Sequence, residues 1–214
     1  MEVKSLFSTP FLHMATDNIE LCKKLETYIL NAMKDEHRIK SAPQQAHPDL
    51  FESSFDFLNW GHQLTNELKN LMLSYLLNFI KTTSNIPNEK LSQIRFVHES
   101  WFHVARNGGY FQSHTHPNHS WSMVFCVNPG DENNKNEYSS GKLLFIDPRL
   151  NASMYMDPAN NNMKREFSYN GLKVMPIRGS IIIFPSFLQH SVEPYIGSEY
   201  RITVAANFKF FYNE

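Results

Sequence analysis

The chain has 214 residues, 42% of them hydrophobic, 14% aromatic and 19% charged, an apolar load that disordered chains lack. Lysines plus arginines number 20 against 21 aspartates plus glutamates, a formal charge of -1 that offers no strong field to nucleic acid or an anionic membrane. Two cysteines, Cys22 and Cys126, are too few for a disulfide scaffold. Met1 to Phe11 carries Glu2 and Lys4 and no long apolar run, so the expectation is a cytoplasmic protein without secretory signal or membrane span.

In chain order, Leu21, Leu25, Tyr28, Ile29, Ala32 and Met33 recur at the spacing of one helix face, behind a capping box of Asp17 and Glu20. Lys40 to Asp49, with Pro43 and Pro48, reads as a surface loop. Leu64, Leu68, Leu71, Met72, Tyr75, Leu76 and Phe79 predict a second helix. After Asn88, β-branched and aromatic runs alternate with Gly, Pro and Asn clusters. They predict strands at Ile94 to Ala105, Phe111 to His116, Trp121 to Val127, Lys142 to Ile146, Leu172 to Met175, Ser180 to Phe184 and Tyr200 to Phe211, a spacing that suits a sandwich or jelly roll. Asn128 to Ser140 and Pro148 to Lys164 are long polar interruptions, read either as binding loops or as insertions. The length fits one domain, 1–214. Within it, residues 1–90 form a mostly helical buttress and 91–214 a β core.

Five of the 10 histidines lie between His98 and His119. His114 and His116 share one face of a regular strand, and two imidazoles so placed grip a metal when a third ligand arrives. His190, just after the hydrophobic run Ser180 to Phe184, is the natural third. In the final strand Arg201, Thr203, Ala205 and Asn207 share one face, and Ile202, Val204, Ala206 and Phe208 the other. An arginine facing inward needs an anion, and Arg201 with Thr203 suits a carboxylate clamp. The alternative is an exposed strand-edge cation paired with Glu199. Phe111, Phe125 and Phe184 are candidates for an apolar pocket wall. His103 either lines that pocket or is a half-buried histidine bonded within the sheet, and Asn207 is a further pocket candidate. His119 falls outside the ligand set, and His13, His37, His47 and His62 read as surface residues.

The order of Trp101, Gly108-x-x-Phe111-x-x-His114-x-His116-Pro117, Ser122-Met123-Val124-Phe125, Leu143 to Pro148, and Gly179 through His190 to Arg201 and Asn207 resembles the Fe(II)/2-oxoglutarate-dependent oxygenases. The likeness is to their prolyl-hydroxylase-like group with an HxH-Pro motif, and it reaches weakly into Leu6-Phe7-Ser8-Thr9-Pro10. The resemblance implies a mainly β fold, a double-stranded β-helix with helices packed on one sheet. It also implies iron at His114 and His190, 2-oxoglutarate at Arg201 and Thr203, dioxygen as oxidant, and a hydroxylase acting on a peptide, an amino acid or a small metabolite. His116 departs from the Asp or Glu usual at its position. That leaves three readings: a three-histidine site, a site completed by Asp147 or Glu99, or a degenerate, weakly metallated one. Alternatives to the whole assignment are a cupin-like three-histidine dioxygenase or isomerase independent of 2-oxoglutarate, and a non-catalytic jelly-roll binding module. Expected partners are the substrate and a second copy of the chain in a homodimer, with neither membrane nor nucleic acid.

Overall fold

The computed structural model describes residues 2–39, 49–131, 140–149, 157–164, 167–168 and 171–212. The chain forms β1 (Leu12–Ala15), α1 (Ile19–Ala32), β2 (Leu50–Glu52), α2 (Gln63–Thr83), the single turn α3 (Asn88–Leu91), β3 (Ile94–Ala105), β4 (Phe111–His114), β5 (Trp121–Asn128), β6 (Leu143–Phe145), β7 (Leu172–Val174), β8 (Ser180–Pro185), β9 (His190–Val192) and β10 (Arg201–Tyr212). Most of the loop expected at Lys40 to Asp49 and parts of both long polar stretches lie outside the described residues.

Both expected helices form, with different ends. α1 buries Leu21, Cys22, Leu25 and Ile29, but its N-cap is Asn18, with no side-chain cap. The capping box of Asp17 and Glu20 does not form, and Glu20 instead holds Lys23 at 2.7 Å. α2 begins at His62, whose Nδ1 accepts the Leu64 N–H at 3.2 Å, so this histidine serves as the cap.

Two antiparallel sheets face each other as a jelly roll, a six-stranded one in the order β1-β8-β5-β10-β3-β2 and a four-stranded one in the order β4-β9-β6-β7. The division at residue 90 is not clean, because β1 and β2, from the helical half, are the two edge strands of the large sheet. Each is only 3 or 4 residues long, with little period-2 pattern to betray it.

β10 is the central ruler. Pairing Arg201 with Ala105, Thr203 with His103, Ala205 with Trp101 and Asn207 with Glu99 sets two faces, as the alternation predicts. Ile202, Val204, Ala206 and Phe208 join Phe102, Met123, Phe125 and Ile183 against α1 and α2 in one core. The opposite face looks across to the small sheet, where Ile182 and Phe184 pack on Leu143, Phe145 and Val174, and Leu50 and Ala105 on Phe111 and Tyr195. Each fully buried Phe or Leu contributes about 1.5–3 kcal/mol of transfer free energy, so the helix side anchors the large sheet while its other face is left for chemistry. Phe125 belongs to the anchoring side. Its partners Val204 and Ile181 lie in the helix-facing core, so the expectation that it walls the pocket is corrected.

Candidate metal centre

β4 and β9 pair antiparallel with His114 directly opposite His190, after a register shift that separates this pair from Phe111 and Val192. The ring centroids of the two histidines are 4.3 Å apart. Nδ1 of His114 lies 2.7 Å from the Gln112 carbonyl, and Nδ1 of His190 lies 2.8 Å from the Leu188 carbonyl. A carbonyl only accepts, so each Nδ1 carries the proton and each Nε2 keeps a lone pair. His116 arrives differently. β4 ends at His114, so strand alternation does not place His116; its backbone N–H donates to the Ser186 carbonyl at 2.9 Å, and Ser186 is bonded to Ser122 through their hydroxyls at 2.9 Å. The result is one cluster in which His114, His116 and His190 each offer a nitrogen within 4.8 Å of the others.

Burial makes these imidazoles poor bases. It lowers the pKa of His116 to about 2, with the neighbouring His190 and His114 adding to the effect, and that of His190 to about 3, with His114 next in importance. His114 is lowered in the same direction, again chiefly by burial. At neutral pH all three are uncharged, the form in which histidine binds a metal. Rings close over the group: Phe111 is 4.6 Å from His114, and Phe184 and Phe145 are 4.7 Å and 5.9 Å from His190.

Neither carboxylate named from the sequence joins the histidines. Both the backbone and the side chain of Arg149 bond to Asp147, and Glu99 is 52% exposed beside His119. His119 stands outside the cluster, as expected. His103 faces the same interior and lies 2.9 Å from Glu52. Glu52 was invisible to sequence reasoning, since one acidic residue in a 3-residue strand carries no pattern. Asn207, buried, stands between Glu99 and Ser122 on that interior face.

Arg201 is 3% exposed, which rules out the strand-edge cation. Among the described residues no carboxylate pairs with it, and its NH2 nitrogen is buried without a hydrogen-bond partner. Burial pulls its pKa below the usual arginine value, while the nearby Cys126 and Tyr195 oppose the shift. Gly141, in the left-handed region at φ +65°, packs on the guanidinium stem, where an added Cβ would lie 2.7 Å from Cδ and Nε. Thr203, buried, follows Arg201 on the interior face. A buried, unpaired cation is costly, and an incoming carboxylate would relieve it.

A family model described as "Putative 2OG-Fe(II) oxygenase" matches residues 99–207. Among solved structures, a Pseudomonas putida prolyl-4-hydroxylase superposes with a TM-score of 0.62 at 13% identity, covering 94% of this chain and 93% of that one. A prolyl hydroxylase from Trichoplax adhaerens, in complex with a hypoxia inducible factor oxygen degradation domain peptide fragment, gives 0.58 at 13%, covering 92% and 82%. HygX from Streptomyces hygroscopicus, with nickel and 2-oxoglutarate bound, gives 0.56 at 10%, covering 94% and 82%. A search of curated protein sequences finds no match. At these identities the superpositions speak to the fold, while the family match spans half of the chain and with it the three histidines, Arg201 and Thr203. The chain belongs to the 2OG-Fe(II) oxygenases, enzymes that use Fe(II), 2-oxoglutarate and dioxygen.

Proposed function

We propose that this oxygenase hydroxylates an unactivated C–H bond of a peptide, a free amino acid or a small metabolite, with His114, His116 and His190 holding the iron and Arg201, supported by Thr203, binding the distal carboxylate of 2-oxoglutarate. One observation carries the cosubstrate assignment: a buried guanidinium with an orphaned nitrogen on the interior face of the jelly roll. The donor set fits a borderline transition metal, being three neutral imidazoles. When bound, iron and 2-oxoglutarate supply the oxidation, in which dioxygen gives one oxygen atom to the substrate and one to succinate as carbon dioxide leaves.

The chain's own residues orient and shield. The carbonyls of Gln112 and Leu188 lock two imidazoles by holding their Nδ1–H. Ser186 fixes the backbone of His116. Phe111, Phe145 and Phe184 keep water from the cluster. Arg201 offers two N–H groups to a carboxylate in a fork that a lysine lacks. The peptide bound to the Trichoplax enzyme supports a peptide among the substrate classes. No described helix is long and apolar enough to cross a membrane. Neither Cys22 nor Cys126 is in a disulfide, in keeping with work in the cytoplasm, and a homodimer is the assembly we propose.

Isothermal titration of the anaerobic, Fe(II)-loaded protein with 2-oxoglutarate tests the reading. The wild type binds one equivalent and Arg201→Ala binds far more weakly; equal binding by the two proteins would sink the assignment.

A further inference from the structure

Among the described residues, the interior face of the large sheet carries one buried carboxylate that the proposed metal and cosubstrate sites leave unused. Glu52 is 5% exposed, and β2 sets it opposite His103, which is in turn opposite Thr203. Oε1 of Glu52 lies 2.9 Å from Nε2 of His103, which donates its proton to the carboxylate, and the indole nitrogen of Trp101 packs beside that nitrogen at 3.1 Å. Oε2 is buried and has no hydrogen-bond partner among the described residues. A carboxylate taken out of water with half its acceptors vacant is expensive unless a positive charge stands nearby.

Such a charge is what the centre would bring. Three neutral imidazoles leave a divalent cation uncompensated, and Arg201 adds a further positive charge to the same interior. The two carboxylates of 2-oxoglutarate cancel two of those three charges, and Glu52 cancels the third. His103 is the physical link: it stands beside Phe111 at 5.5 Å between ring centroids, Phe111 stands beside His114, and Trp101 lies 5.8 Å from His116. Neither Asp147 nor Glu99 occupies a comparable position, the first being held by Arg149 and the second half exposed.

We infer that Glu52, acting through His103, is the anionic partner of the metal centre, supplying from outside the ligand set the negative charge that a histidine at position 116 withholds. The inference rests on the three-histidine reading above. Glu52 is therefore a positioning residue, and it strengthens cation binding without touching the ion.

The test is a titration of the metal-free protein with Co(II), which needs no turnover. Glu52→Gln keeps the shape and loses the charge, and is expected to weaken Co(II) binding by about tenfold, the scale of one charge acting across several side chains. His103→Gln should lose a similar factor. The double variant should lose no more than either single one, because the two act as one unit. His103→Gln carries the same test should Glu52→Gln fail to fold. A purely structural role for Glu52 would lower the melting temperature of the metal-free protein and leave the Co(II) affinity of the folded fraction unchanged, and that result overturns the inference while the three-histidine site stands. Additive losses in the double variant overturn the relay through His103. Absence of Co(II) binding by the wild type removes the site and the inference together.

Discussion

His114 and His190 stand opposite each other across β4 and β9, and each gives its Nδ1–H to the carbonyl two residues before it, Gln112 at 2.7 Å and Leu188 at 2.8 Å. This symmetry means that the backbone of two paired strands, rather than other side chains, decides which nitrogen faces a metal. Among the described residues His116 shows no such lock, and its backbone and ring neighbours hold it.

If iron sits at the proposed site, removing either paired histidine should cost more than altering His116. His114→Ala and His190→Ala should abolish stoichiometric iron, measured by metal analysis after anaerobic reconstitution. His116→Ala should weaken binding by at least about a hundredfold, the upper range for losing a partner behind a ligand, whereas His116→Asp, which adds an anionic donor, should bind Fe(II) at least as tightly as the wild type. Loss of iron in His116→Asp together with full retention in His116→Ala would show that position 116 does not ligate.

Arg201 carries a stability cost in the absence of an anion. Arg201→Met replaces a buried, partly unsatisfied cation by an apolar side chain of similar length, a change expected to be neutral or stabilising in the anion-free protein. The melting temperature of the metal-free variant should equal or exceed that of the wild type, while the thermal shift caused by 2-oxoglutarate disappears. A lower melting temperature with the shift intact would mean that Arg201 is structural.

Gly141 makes a separate claim on the same guanidinium. Its φ of +65°, and the 2.7 Å that would separate an added Cβ from the Arg201 side chain, mean that Gly141→Ala strains the backbone and pushes that side chain aside. Affinity for 2-oxoglutarate should fall by about tenfold, the loss of one charge-assisted hydrogen bond, with iron binding unaffected. Unchanged cosubstrate affinity in a folded Gly141→Ala protein would contradict this packing of Gly141 on Arg201.

Acid should loosen the metal-free protein before ordinary carboxylates titrate. Histidines take up protons near pH 6.5 when unfolded, but burial holds His190 to about 3, His116 to about 2 and His98, packed against Phe208, to about 4 when folded. Between those limits the unfolded chain binds more protons than the native one, so stability is full above pH 6.5 and falls as the pH drops through 6 towards 5. Melting curves from pH 8 to 5 should show a plateau and then a decline, and bound metal should reduce the decline by keeping the imidazoles unprotonated. A flat profile across that range would show that these histidines are charged or solvated in the native state.

The legible parts of the fold were those with a long period or a long run. α2, β3 and β10 announce themselves through many residues, and β3 spans Ile94 to Ala105 as the sequence predicts. The edge strands β1 and β2 did not, because 3 or 4 residues paired on one side need only a neighbour's backbone. Of the site, His114, His116, His190 and Arg201 were readable as a pattern, although His116 reaches the cluster by a turn bonded to Ser186 and not by strand alternation. Phe125 misled because a strand buried on both faces looks hydrophobic throughout, and only the register with Val204 tells which way it points. Glu52 was hidden for the opposite reason, since its role comes wholly from partners 51 residues away in the chain.

The most direct test is a structure of the anaerobic protein with Fe(II) and 2-oxoglutarate. Iron is expected on Nε2 of His114, on Nε2 of His190 and on the imidazole of His116, with the distal carboxylate of 2-oxoglutarate on the guanidinium of Arg201. Iron held by fewer than three of these histidines, or a 2-oxoglutarate carboxylate bound away from Arg201, would contradict this arrangement.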